Sequence, residues 1–316
     1  TERGQKRRNV GSAAAMVFLN ATDPRLIRGL RKGMLEWGFK GITIGHDLFR
    51  KLGLLRQKQE IPPATTGKLD LKGQVVGLVR KPLRVELPKQ TMRAMLDLED
   101  STTVPVIRDP ARVTEDSDAV FYFPGCGSER LFSDVGLASI AMLYSVGARV
   151  VLPPGYLCCG YPQIAAGQSE AGHRITTENR VLFHRVANTL NYMDIRTVIV
   201  SCGTCMDQLL KYEFEQIFPG CRLLDVHEYL MEKGVSLQQD GDTKYLYHDP
   251  CHSPMKQHDP LAVVSSLMQG EVLLSDRCCG EAGTLGTSRP DISRQLRFRK
   301  LEELRGGINE LIGRER

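Results

Sequence analysis

Long hydrophobic runs, aromatic residues and an excess of one charge sign are all scarce in this chain. No stretch of 18 apolar residues occurs among its 316, so no membrane-spanning helix is expected. The polar, basic opening TERGQKRRNV has none of the apolar core of a secretory signal. Both absences point to the cytoplasm, with peripheral attachment to the inner face of the membrane left open. The formal net charge is only +5 and aromatics make up 6%. Basic clusters at residues 3–8, 25–32 and 294–305 are followed by acidic residues with few aromatics between, which describes solvated faces and no nucleic-acid surface. No Gly-x-Gly-x-x-Gly or Walker pattern follows a strand-like run, so this chain is not expected to bind flavin or nucleotide itself. An even cysteine count is lacking too: nine cysteines cannot all pair internally, and Cys158–Cys159 and Cys278–Cys279 are adjacent pairs. Metal or redox chemistry in a reducing compartment is the favoured reading.

What is present is ordinary for a globular protein, with 41% apolar and 25% charged residues. The sequence opens on Thr, which suggests a piece of something longer. Residues 11–54 carry apolar positions at helical spacing among basic ones and predict two or three helices, with Asp23-Pro24 as cap and first turn. From 60 to 116 prolines and mixed charge read as connector, broken by one short helix near 90–98. After 117 short β-rich runs alternate with glycine turns and helical patterns, the grammar of an α/β fold with a parallel sheet. Strands are predicted at 119–123, 148–152, 197–201, 244–248 and 271–275, each followed within a few residues by cysteine. The predicted organisation is a helical segment and connector (1–116), a first cysteine-rich unit (117–237) and a second, incomplete one (238–316).

Superposing the two halves shows a repeat. FYFPGC answers YLYHDPC at an offset of 125 residues, and VVLPPGYLCCG answers EVLLSDRCCG at 120. The first unit ends in VIVSCGTC, with Cys202 lying 44 residues past Cys158; the same step from Cys278 falls at 322, beyond the last residue. In a doubly wound sheet the ligand crevice lies at the carboxyl ends of the strands. Cys126, Cys158, Cys159, Cys202 and Cys205 should therefore converge, with glycines 125, 127, 160 and 203 admitting close backbone approach. Five thiolates exceed what a tetrahedral zinc uses, so an iron–sulfur cluster fits better, zinc and a metal-free thiol site being the alternatives.

A lone cysteine, 31 residues, Cys-Cys-Gly, 41 residues and Cys-x-x-Cys resembles the cysteine-rich CCG domain. That domain occurs, usually in tandem, in heterodisulfide reductase and in the iron–sulfur subunits of glycolate oxidase, lactate utilisation and anaerobic glycerol-3-phosphate dehydrogenase systems. The wording FYFPGCGSERLF, PPGYLCCGYPQ and VIVSCGTCMDQ is most similar to the C-terminal part of bacterial proteins that fuse an FAD-linked oxidase to a ferredoxin-like segment and a CCG pair. The resemblance implies two tandem Rossmann-like units, the second truncated, and a [4Fe-4S] cluster, non-cubane in the heterodisulfide reductases, on Cys126, Cys158, Cys159, Cys202 and Cys205. It also implies an electron-transfer role beside a flavin (FAD) dehydrogenase domain or subunit that oxidises a 2-hydroxy acid, with a ferredoxin-like segment as a further partner. Catalysis of disulfide reduction by the cluster, or a zinc-stabilised assembly scaffold, are the alternatives. The family's gap before Cys-x-x-Cys is usually shorter, which makes the helix predicted at 175–192 an extension. Cys251, Cys278 and Cys279 are the metal ligands implied for the second unit, without their partners.

Other candidates have plainer readings. Cys221 lies outside both patterns and suits packing. His248 and His252 flank Cys251 as ligand or proton-donor candidates, although Asp249 in YHDPCH would also serve as a simple helix cap. His173, His184 and His227 sit in helical text and read as surface or satisfied core. Tyr156 and Tyr161 bracket Cys158–Cys159 and would shield a cluster, or are simply core.

Overall fold

Apolar alternation with a period of two sends neighbouring strand residues to opposite faces, and residues 119–123 are apolar at every position, so this strand must be covered on both sides. The computed structural model describes residues 10–53, 79, 87–237, 243–280, 283, 285–311 and 313. The strand forms as β2 (Ala119–Phe123), buried throughout. Phe121 and Phe123 join one core with Val198, Val200, Phe183 and Tyr212. Val120 and Tyr122 join the other with Ile199, Leu224, Leu143 and Tyr229.

Around β2 a five-stranded sheet is built from β1 (Val106–Ile107), β3 (Arg149–Val151), β4 (Thr197–Val200) and β5 (Arg222–Asp225), in the order β1-β3-β2-β4-β5. The last four strands are mutually parallel, and only β1 runs antiparallel, pairing Val106 with Val151. The helices Ser133–Ser145 and Ser169–Thr189 make the crossovers. This is an α/β doubly wound sheet whose order reverses between β2 and β4, as the alternation after residue 117 predicts. β6 (Tyr245–His248) and β7 (Val272–Ser275) form a separate two-stranded sheet, with the helix Pro260–Met268 between them in sequence.

The five predicted strands appear within a residue or so of their expected limits, and Met92–Met95 is the short helix of the connector. The rest of the connector between 54 and 86, Val79 excepted, lies outside the described residues. At the N-terminal end the helices are Val10–Asn20 and Pro24–Leu30, a π-helical turn over Arg31–Trp37, and Gly38–Lys51. The second helix starts at Pro24 as expected. By packing, the described residues within 1–18, 25–86 and 275–316 make one compact unit and those within 19–24 and 87–274 the other. Among the described residues no helix is long and apolar enough to cross a membrane.

Candidate metal centre

Three cysteine groups leave three adjacent parallel strands. Cys126 lies in the first turn of the helix Gly125–Arg130, directly after β2. Cys158 and Cys159 follow β3 and precede the helix Tyr161–Ala165. Cys202 stands at the start, and Cys205 in the first turn, of the helix Gly203–Leu209 that follows β4. These are carboxyl ends, and β2 and β4 flank the point where strand order reverses, which is where doubly wound sheets bind their ligands.

The five sulfurs form a row. Cys126 Sγ and Cys158 Sγ are 3.9 Å apart. Cys158 and Cys159, Cys159 and Cys205, and Cys205 and Cys202 are near enough for each to shift its neighbour's ionisation. The neighbouring Cys126 and Cys159 side chains, in that order, lower Cys158 to about 3. The bond from Cys205 likewise lowers Cys202 to about 6. Their neighbours move the other way: Cys126 and Cys159 are raised by Cys158, and Cys205 by Cys159 and Cys202, with burial adding to each. Cys126, Cys158, Cys159 and Cys205 are buried and Cys202 is half-buried.

Two glycines allow the row to close. Gly125 has φ +69°, and a Cβ there would stand 2.6 Å from Cys205 Sγ. A Cβ on Gly203 would lie 1.6 Å from the His252 carbonyl oxygen, so the segment after β6 runs directly over the Cys-x-x-Cys turn. Nothing lies within 4 Å of the corresponding point on Gly127. The close approaches are thus between segments of the chain.

Beneath the row, polar residues that the sequence did not single out fix the Cys158–Cys159 loop. Asn179 Nδ2 donates to the Cys158 carbonyl (2.8 Å) and to the Tyr212 hydroxyl (2.9 Å), and Tyr212 donates to the Cys159 carbonyl (2.9 Å). Asn179 belongs to the helix Ser169–Thr189, so the segment read as an extension supports the site. Gln163 Oε1 stands 3.7 Å from Cys158 Sγ, and Gln163 Nε2 donates to Asn20 Oδ1. Tyr161 OH is 3.2 Å from His252 Nε2, and the other ring nitrogen of His252 bonds Asp207, which Lys256 approaches at 3.1 Å. Tyr156 is buried, its hydroxyl bonded to Thr91 (2.6 Å) and Glu99 (2.8 Å).

The remaining candidates lie elsewhere. Cys251 is exposed and sits in the unit that holds the row; Cys278 and Cys279 are half-buried and sit in the other unit. Cys278 Sγ accepts from the Gly280 N–H at 3.4 Å, and Glu303 takes the N–H groups of Asp276 and Arg277, which secures that loop. Cys221 packs against the core, and burial pushes its thiol up to about 11. Tyr247 donates to Asp249, and no helix follows; the cap of Pro260–Met268 is Asp259, which accepts from the Ala262 N–H. His227 is held by Asp225, the N-cap of Val226–Glu232.

Zinc asks for four ligands about one point. Among the described residues no three His, Cys, Asp or Glu side chains gather as ligands of a single ion. Five cysteines from three segments are the soft thiolate donors that an iron–sulfur centre would use.

Among known proteins, the pattern of the cysteine-rich CCG domain matches residues 120–210 and 245–313. An uncharacterized iron-sulfur protein of Methanococcus maripaludis is 26% identical over 208 residues, covering 64% of this chain and 40% of its own. A subunit of the fumarate reductase (CoM/CoB) of Methanothermobacter marburgensis is 28% identical over 191 residues, 58% of this chain and 37% of its own. The glycolate oxidase iron-sulfur subunit of Escherichia coli K12 is 28% identical over 250 residues, 75% of this chain and 59% of its own. The chain thus spans well under two thirds of the length of these relatives. No solved structure matches it.

Proposed function

Because the chain belongs to the cysteine-rich CCG domain family, we propose that it is the iron–sulfur electron-transfer module of an FAD-linked 2-hydroxy acid oxidoreductase. The single observation that carries this is the five-sulfur row at the switch point of the sheet, in the half of the chain that matches the family. Cys126, Cys158, Cys159, Cys202 and Cys205 would hold a [4Fe-4S] cluster, of the non-cubane type that the resemblance to the heterodisulfide reductases implies. When bound, such a cluster accepts and releases single electrons.

The chain's own residues do the rest. The buried sulfurs exclude water, the Asn179–Tyr212 pair fixes the Cys158–Cys159 loop, and the turn at Cys202 is the most open part of the row. Electrons would come from a flavin domain or subunit, which the name of the glycolate oxidase relative supports, and a ferredoxin-like segment would be a further relay. Reduction of a disulfide by the centre itself is not favoured, since relatives named as iron–sulfur subunits of an oxidase fit a carrier. Cys251, Cys278 and Cys279 are outside the proposed ligand row.

Anaerobic purification with subsequent iron, acid-labile sulfide and zinc counts tests the proposal. Iron and sulfide near four per chain support it. Near-stoichiometric zinc without sulfide would refute it.

A further inference from the structure

A histidine from the second matched segment ties together two cysteine groups of the first. His252 follows β6, in the stretch that crosses the Cys-x-x-Cys turn. Its Nε2 stands 3.2 Å from the hydroxyl of Tyr161, the residue directly after Cys158-Cys159-Gly160. Its Nδ1 bonds Asp207, two residues after Cys205 in the helix Gly203–Leu209. The Tyr161 and His252 rings also meet edge to face, with centroids 5.4 Å apart and planes at 75°. Lys256 Nζ lies 3.1 Å from the other Asp207 oxygen, so the carboxylate takes one contact from each end of the segment 252–256.

Each bond uses a different nitrogen of the imidazole. With its proton on Nδ1 the neutral ring donates to Asp207 and accepts from the Tyr161 hydroxyl, which satisfies both nitrogens, and the carboxylate favours that tautomer. His252 and Asp207 keep part of their side chains in water, so this pair by itself holds little. Backbone fit adds to it, since Gly203 leaves no room for even a methyl group beneath the His252 carbonyl. The far end of the segment is anchored separately: Met255 is buried in the core, and the Glu228 carboxylate accepts from the N–H groups of Gln257 (2.8 Å) and His258 (2.9 Å). The ring at 252 can therefore be removed without releasing the whole segment.

Resting on the iron–sulfur reading above, we infer that His252 is a positioning residue of the centre: through Tyr161 and Asp207 it braces the Cys158–Cys159 loop against the Cys202–Cys205 turn, and it holds the segment 252–256 over the most open part of the row. A residue of the second matched segment thereby serves the first.

The test uses the full chain as wild type, His252→Ala and His252→Gln, with His258→Ala as a control that removes a pair to Glu232 in the same stretch. In the reduced, metal-free chain, alkylation by iodoacetamide is followed at each cysteine by mass spectrometry. His252→Ala is expected to alkylate at Cys202 about tenfold faster, as when a hydrogen bond to a charged group is lost, with Cys126 and the urea midpoint close to wild type. His252→Gln, whose amide can donate to Asp207 and accept from Tyr161, should stay within about threefold of wild type, as should His258→Ala. Wild-type labelling of Cys202 in His252→Ala overturns the inference. So does faster labelling of all five cysteines with a lowered urea midpoint, which would assign His252 to general stability. In the anaerobically reconstituted chain, His252→Ala should lose iron to a chelator about tenfold faster, the effect of removing a residue that orients ligands; an unchanged rate overturns the role at the centre. If His252→Ala does not fold, Tyr161→Phe and Asp207→Asn each remove one arm: faster labelling of Cys202 in either supports the brace, and in neither overturns it. A wild-type chain holding zinc without sulfide would sink the iron–sulfur reading alone, since the labelling is done without metal and still decides the brace.

Discussion

Cys126 Sγ and Cys158 Sγ stand 3.9 Å apart although they belong to the ends of different strands. If the five cysteines are the ligand set proposed above, the centre depends on each of them. Cys158→Ser and Cys202→Ser should each abolish iron binding and make unfolding of the unit less cooperative, because metal binding is coupled to folding. Cys221→Ser, which alters only a core contact, should leave iron unchanged. Iron and sulfide counts with urea denaturation check this; equal losses in all three would mean that the row is misassigned.

Gly125→Ala separates close approach from backbone strain. A left-handed backbone costs a non-glycine residue about 1–2 kcal/mol, and at Gly125 the new Cβ would also press on Cys205 Sγ. Gly167 has φ +80° with nothing within 4 Å, so Gly167→Ala should show the strain alone. The Gly125 variant is expected to be the less stable of the two in urea and to lose iron, while the Gly167 variant keeps it.

Asn179→Ala leaves the Tyr212 hydroxyl and the Cys158 carbonyl short of a buried partner. The expected cost is about 1–3 kcal/mol, with metal held about 10–100-fold less tightly, as when a residue that orients ligands is removed. Denaturant midpoints and chelator competition measure the two effects separately. A drop in stability with unaltered metal retention would show that the pair serves the core and not the centre.

A pH dependence arises at His227. Its hydrogen bond to Asp225 raises it above the ordinary value of 6.5, against the opposing effect of burial. A raised folded value means that the folded state holds the proton more tightly than the unfolded chain does. The stabilisation is therefore fully present below about 6.5 and is lost as pH rises through the raised value. Urea midpoints should fall as pH rises above about 6.5 in the wild type and fall less in His227→Gln. Parallel slopes in the two proteins would remove His227 from the account.

Much of the architecture is legible in the chain because its central strands are short, continuous apolar runs followed within a few residues by a turn and a cysteine. AVFYF and TVIV are buried on both faces and leave little alternative. β5 is less visible: RLLD is short, charged at both ends, and gains its place only by pairing with β4. β1 is two residues long and exists because Val151 offers it a partner. The tripeptide His-Asp-Pro occurs twice, at 248–250 and 258–260, and only the second starts a helix. CHSP comes after the first and LAVVSSLM after the second, so the residues beyond the cap decide between turn and helix. The cysteine spacing announces the row, but Asn179 could not be picked out, since a buried polar side chain declares its partner only after the helices have packed.

The row also dictates an order of events during synthesis. Its sulfurs come from segments at 126, 158–159 and 202–205, so no local stretch of chain can assemble it. Contacts this distant in sequence form late, after the loop-closure entropy has been met by pairing of β2 with β3 and β4. A nascent chain whose last cysteine pair is still in the ribosome has Cys126, Cys158 and Cys159 without their final neighbours. For the centre proposed above, metal delivery would wait for the central strands, and the interval before they pair is when these thiols are most open to oxidants.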